Sequence, residues 1–405
     1  MTTTRHIATI AALAVGFSNV GCKSAKRIVE RFSPAASSSA QPADPGRAAT
    51  EAEAAAFADE LGRAVAANQG LASLVDTEAI ITRGFSDLEL PANAAKTAAD
   101  AMAKSFGQTL AFGLKGGGSY KLLKNEISGN ERRVRFRLLG GDGAFNYHDY
   151  VVVVRKGATR AVDIHMLTTG EPISTTLRRS LLPLAAESKK GVIERLTSKE
   201  NTYLQHLSSI TKMSQFQTDA KGALAAYATL PDVLKTDKNL LMLRVQASAQ
   251  VDDKEYLAAM EDYRKAFPND PAMRVISIDY FYMKKMYKEA IEQVAALEAA
   301  SGPDAHLNTL RGRIQAELGN LDDARAELTK ALALEPDLAE AATFAILLDL
   351  TTNDESGAIA KIKSARKHNV DLAGLAQDQR YVALLAKPGV QKKLDAPDPA
   401  PSGAP

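Results

Sequence analysis

Apolar residues recur along this chain at two different periods, and the switch between them divides it. Residues 53–68, a short segment near 76–84, and 92–113 carry apolar side chains three and four positions apart, the spacing of one helical face. Alternation then takes over. It predicts four strands near 119–125, 131–139, 146–154 and 160–168, joined at Ser128-Gly129-Asn130, Gly140-Gly141-Asp142-Gly143 and Gly157-Ala158-Thr159, turns short enough to force antiparallel neighbours. Alternation also predicts faces. Val134, Phe136 and Leu138 lie opposite Arg133, Arg135 and Arg137, and Val162, Ile164 and Met166 lie opposite Ala161, Asp163 and His165. A helix over about 173–186 closes this part. Helices first and an antiparallel sheet after predict an α+β layer fold for residues 53–187.

From about residue 200 the helical period returns and repeats every 34 residues or so, giving three to four helical hairpins. The clearest unit is 305–337. Gly312 sits mid-way along its first helix, Gly319-Asn320 forms the turn, Ala324, Leu328 and Ala331 share a face of the second helix, and Pro336 closes it. Small residues belong where two helices cross, because axes only about 8–10 Å apart leave no room for long side chains. Residues 271–304 carry Tyr287 and Ala290 in MYKEAIEQ, with Ile278 where a smaller residue is expected. Residues 240–270 carry Ala247, Ala259, Tyr263 and Ala266. Residues 338–371 carry Ala345 and Gly357 around an irregular turn, 203–235 read as a degenerate first hairpin, and 378–390 as a capping helix.

These units resemble the tetratricopeptide repeat family over residues 200–393. The resemblance implies an all-α solenoid whose stacked units create a concave surface that binds other polypeptides. First helices line such a surface. The partner-binding candidates in this register are Arg244 and Ser248, then Asp279 and Tyr282, then His306, Thr309 and Arg313. Relatives that grip a peptide carboxylate use paired Lys and Asn there. That set is missing, so the expected partner is a polar, partly charged protein or peptide segment.

The order of elements in 53–187 resembles the NTF2-like cone and, less closely, cystatin-like sheets. Folds of that kind host both enzymes and pure binding modules, so the resemblance assigns no activity. Some cones carry Asp/His acid–base pairs, for which the candidates are His148, Asp149, Asp163 and His165. Asp163 and His165, two apart on one strand, share a face. A metal would need two histidines and a carboxylate to converge. The arginine row 133/135/137 could hold an acidic ligand or form a solvated face. Tyr147 and Tyr150 could line a pocket or pack. GLKGGGSY (113–120) lacks the Lys-Ser/Thr ending of a phosphate loop and reads as a helix-to-strand turn.

Composition changes the picture at one point. The formal net charge of +2 gives no global field for nucleic acid, and no Trp is present to build base-stacking platforms. The single cysteine, Cys22, follows a basic start at Arg5, the apolar run Ile7–Phe17 and Gly21. Residues 1–22 therefore read as a signal segment resembling that of bacterial lipoproteins, in which the Cys is acylated, or as an ordinary cleaved signal with an incidental Cys. Residues 23–52, rich in Ser, Ala and Pro, read as a flexible linker, and 394–405 as a disordered tail. The expectation is a non-enzymatic, exported scaffold of a bacterial cell envelope, lipid-anchored or periplasmic, with no cofactor or metal. The alternative is a small-molecule-binding or hydrolytic cone domain that uses the repeats for docking. An open sheet pocket with His148 and His165 both inside it would favour the alternative.

Overall fold

The structure, a computed structural model, describes residues 46–69, 71–88, 90, 92–114, 118–141, 143–188 and 195–396. The signal segment with Cys22, most of the linker and residues 397–405 lie outside them. The chain divides into two compact units, one ending at Tyr280 and one beginning at Phe281.

In the first unit, Arg47–Ala48 forms a short strand, β1, paired with Val153 and Val154. Helix α1 follows over Glu51–Ala67. The strand lies inside the 23–52 stretch expected to be linker, and the helix begins there. The reason is local: Thr50 accepts from the Glu53 N–H while the Glu53 carboxylate reaches back to the Thr50 N–H, a reciprocal cap that starts a helix here. Ala54, Phe57, Ala58, Leu61 and Val65 then fall on one buried face. Helices α2 (Leu71–Leu74), α3 (Thr77–Gly84) and α4 (Ala92–Gly113) precede the sheet.

Strands β2 (Ser119–Ser128), β3 (Glu131–Leu139), β4 (Phe145–Arg155), β5 (Ala158–Met166) and β6 (Glu171–Pro172) pair antiparallel in chain order. The β4–β5 turn is Lys156-Gly157, with φ of 49° and 77°. Two consecutive left-handed residues make the tight hairpin whose twist matches the strands, so β5 begins earlier than alternation alone suggests. Its register also shifts opposite Val151 and Val152. This irregularity reverses one expected face. Ile164, Met166 and Ala161 join the main core, whereas Val162 packs with Val151, Val153 and Ala79 in a separate cluster. Helix α5 (Ile173–Ser188) completes this layer.

Short helices α6 (Ser198–Gln205), α7 (Leu207–Met213), α8 (Ala220–Ala228) and α9 (Asp232–Lys235) follow, and then α10 (Lys238–Ala249) and α11 (Asp253–Ala266). They belong to the same compact unit as the sheet rather than beginning a new one. Polar ties explain this. Lys238 Nζ donates to the Gly170 carbonyl at 2.8 Å and pairs with Asp270, and Arg178 bridges Asp87 and Glu200.

Helix α12 (Pro271–Met283) contains the boundary between units. The second unit continues with α13 (Tyr287–Ser301), α14 (Ala305–Glu317), α15 (Leu321–Leu334), α16 (Ala339–Thr351) and α17 (Glu355–Lys367), then a 3-10 turn at Ala373–Gln377, α18 (Gln379–Leu385) and α19 (Val390–Asp395). Helices α11, α13, α15 and α17 begin at 253, 287, 321 and 355, each 34 residues after the last. Leu394 in α19 is buried, so the expected tail is still helical at its first residues.

Close crossings follow the small residues. A Cβ on Gly312 would meet Leu328 Cγ at 3.1 Å and the Ala324 carbonyl at 3.2 Å. Ala290, Ala324, Ala331 and Ala345 are fully buried. Each buried Leu or Ile added around them, such as Leu307, Ile314 and Leu328, contributes about 1.5–3 kcal/mol of transfer free energy.

Candidate functional site

The sheet carries the first set of candidate residues, and the structure separates them. His148 on β4 is opposite Met166, and Asp149 is opposite His165. Neighbouring side chains on a strand point to opposite faces, so His148 enters the core and His165 leaves on the other side. His148 is buried, with Nδ1 at 3.1 Å from the Tyr120 hydroxyl and Nε2 at 3.2 Å from Asn146 Nδ2. Burial pushes its pKa down to about 4. It is a neutral core histidine with both ring nitrogens engaged. The two histidines cannot converge on one ion.

Aromatic side chains cluster on the core face of the sheet. Phe57, Phe106 and Phe136 surround Tyr150 edge-on at ring-centroid distances of 6.1, 6.3 and 5.9 Å, and Tyr120 stacks on Phe136 at 4.7 Å. The Tyr120 and Tyr150 hydroxyls bond at 2.5 Å. Tyr147, on the other face, is also buried and packs on Phe145.

Asp163 is consumed structurally. It accepts from the Ile164 N–H, the Ser174 N–H and the Ser174 hydroxyl, which anchors the start of α5. His165 is half-buried, and burial together with the nearby Arg133 lowers its pKa. Asp149 makes a bidentate ion pair with Arg135, Arg133 meets Glu131, and Arg137 is fully buried with one nitrogen on Ser119. The arginine row therefore closes on partners within the sheet. Among the described residues no group of three or more His, Cys, Asp or Glu side chains could hold a metal.

The first helices of the hairpins carry the second set. Four of its seven residues are buried: Ser248, Asp279, His306 and Thr309. This corrects their expected place on a partner-facing surface. Asp279 accepts from the Tyr256 hydroxyl at 2.5 Å, and burial lifts its pKa to about 6. His306 Nδ1 meets Glu340, and the Thr309 hydroxyl donates back to the Ala305 carbonyl at 2.9 Å. Arg244 is tied to Asp262 at 2.5 Å and lies over the Tyr227 ring.

Tyr282 and Arg313, both in the second unit, are half-buried and keep part of their side chains accessible. The Tyr282 hydroxyl donates to Glu317 at 3.3 Å, and its ring lies 5.6 Å from Tyr287. Burial, and next Glu317, raises its pKa to about 12. Arg313 stacks over Phe344 at 5.9 Å, and among the described residues no carboxylate pairs with it. The arrangement is an aromatic and charged patch built from α13, α14, α16 and the end of α12. Glu317 and Phe344 carry no mark in the sequence reading, and Tyr287 enters it only as a repeat-signature residue, not as a binding candidate. A signal for Phe344 existed, since it is the aromatic residue on the first helix of the last hairpin.

Ion pairs tie the helices of the second unit together. Arg311 joins Glu298 and Glu327, Asn308 also bonds Glu327, and the buried Asp349 takes Arg325 and Lys361. Buried charges with several partners hold helices in one register.

No protein-family model and no curated protein matches the sequence. Among solved structures the chain is similar to MamA 41-end from Desulfovibrio magneticus RS-1, with 18% identity over 45% of this chain and 98% of that one and a TM-score of 0.37. It is similar also to MamA AMB-1, with 14% identity over 45% of this chain and 99% of that one and a TM-score of 0.35.

Proposed function

We propose that the protein is a non-enzymatic scaffold that binds a protein or peptide segment on the second unit, with Tyr282 and Arg313 as its anchors. One observation carries this reading: an arginine with no carboxylate partner among the described residues, held over an aromatic ring beside two tyrosines. Tyr and Arg are the residues that most often carry interface energy, and a guanidinium preset on a ring loses little freedom on binding. The partner chemistry that fits is an exposed polar segment presenting a carboxylate to Arg313 and an apolar side chain to Phe344.

The 34-residue helix spacing supports a tetratricopeptide-like stack, whose usual use is polypeptide binding. The sheet domain, read as NTF2-like, serves as a structural module. Export and acylation at Cys22 belong to the same proposal. Labelling with palmitate and detergent partitioning should both be lost in Cys22→Ser, and unchanged membrane retention in that variant would remove the anchor. To test binding, Tyr282→Ala with Arg313→Ala is used as bait beside the wild-type protein. Loss of a specific partner at unchanged melting temperature supports the patch. An identical partner set moves binding elsewhere.

A further inference from the structure

The sheet domain holds a cleft that none of the candidate residues above lines. The cleft, of about 300 Å³, opens between the start of α3 and the β4–β5 hairpin, with Asp76, Thr77, Glu78, Arg155, Lys156 and Arg160 in its lining. That volume suits a small ligand. We infer that this cleft binds a compact oxyanion, the carboxylate or phosphate group of a small molecule, between Arg160, Lys156 and the first turn of α3.

The charges in the cleft are unevenly used. Asp76 is spent: one oxygen accepts from the Ala79 N–H at 2.9 Å, capping α3, and the other takes Arg155 at 2.6 Å. Arg155 is nine-tenths buried, and its Nε–H finds no acceptor. Lys156 and Arg160 have no carboxylate partner among the described residues. The left-handed backbone at Lys156-Gly157 holds the hairpin so that both cations flank one cavity. Glu78 opposes an anion by charge, while the charge of Asp76 is offset by Arg155.

Donors of other kinds converge on the same space. The Thr77 N–H is used by the Val75 carbonyl and that of Ala79 by Asp76. Among the described residues neither the Thr77 hydroxyl nor the Glu78 N–H has a partner. An uncapped N–H in a first helical turn, a free hydroxyl and two cations without a carboxylate partner together form a donor-rich cleft. A planar or tetrahedral oxyanion supplies the acceptors it lacks.

The test titrates inorganic phosphate, and separately acetate, into the full-length protein while following the Thr77 and Glu78 amide resonances. Saturable shifts confined to the cleft are expected, and the stronger of the two probes assigns the ligand as phosphate- or carboxylate-bearing. Arg160→Gln should weaken that binding about tenfold, the loss of one charge-assisted hydrogen bond. Glu78→Gln should tighten it. Lys156→Gln, on the exposed turn, replaces Arg160→Gln if the latter misfolds. Shifts that do not saturate, or affinity unchanged in both Arg160→Gln and Glu78→Gln, overturn the site.

Discussion

His148 and His165 stand on adjacent strands of one sheet, yet they leave it on opposite faces, because His148 is in register with Met166 and His165 with Asp149. The pair that a catalytic or metal-binding reading would bring together is thereby taken apart. His148 is left as a neutral member of a buried chain with Asn146, Tyr120 and Tyr150.

This burial has a pH signature. The folded-state pKa of His148 is about 4, and an unfolded histidine titrates near 6.5. The unfolded chain takes up the proton first as pH falls. The contribution is therefore whole above about pH 6.5 and is lost progressively toward pH 4, to an extent of roughly 3 kcal/mol. Urea unfolding of the wild type should lose more stability between pH 7.5 and pH 4.5 than that of His148→Gln. Equal losses would show that the ring is not held neutral.

Asp279 acts with the opposite sign. Its pKa is raised to about 6 by burial, above the unfolded value near 3.9. The folded state keeps its proton longer as pH rises, so stability from this group is present below about pH 4 and is lost as pH climbs through 6. Asp279→Asn keeps an acceptor for the Tyr256 hydroxyl and removes the charge. It is expected to raise stability at pH 7.5, by up to roughly 3 kcal/mol, and to change little at pH 4. A variant that destabilises equally at both values would mean that the carboxylate is paired more fully than its single tyrosine contact indicates.

Much of this was legible in advance, and the failures have physical causes. Alternation found all four long strands because one face of the sheet packs on helices, and the 34-residue period found the hairpins through Gly312, Ala324 and Ala331. It missed Val162, whose face is set by a register shift that no residue type announces. It missed the capped start of α1 because Ser- and Ala-rich composition masked the Thr50/Glu53 pair. The surface of the hairpins is the least legible part of the sequence. Asp279 and Arg313 occupy equivalent positions 34 residues apart, but Asp279 is buried against Tyr256 and Arg313 is only half-buried, on Phe344. Periodicity fixes which way a side chain leaves its helix, while burial depends on what the neighbouring helix places opposite.

The helix crossing at Ala324 gives a direct test of the hairpin register. Ala324 is fully buried beside Gly312. Ala324→Leu should overpack the crossing and cost about 1–3 kcal/mol, seen as a lowered denaturation midpoint. An unchanged midpoint would place the helices farther apart than this.

The tie between the sheet and the first hairpins rests on Gly170. Its φ is 60°, and a Cβ there would run into Lys238 and Asp270. Gly170→Ala is expected to cost about 1–3 kcal/mol through strain and displacement of Lys238. Hydrogen exchange should rise in β5 and in α10 together. Exchange that rises in only one of them would show that the two elements unfold independently.

Site-specific photocrosslinking in the source cells puts the binding patch itself to the test. A photoreactive phenylalanine analogue replaces Tyr282 in one strain and the exposed Thr329 on α15 in another. A specific crosslinked partner at Tyr282, absent at Thr329 and lost on adding Arg313→Ala, is the expected result. The same products from both positions, or a Tyr282 product indifferent to Arg313, would contradict a partner-binding role for this surface.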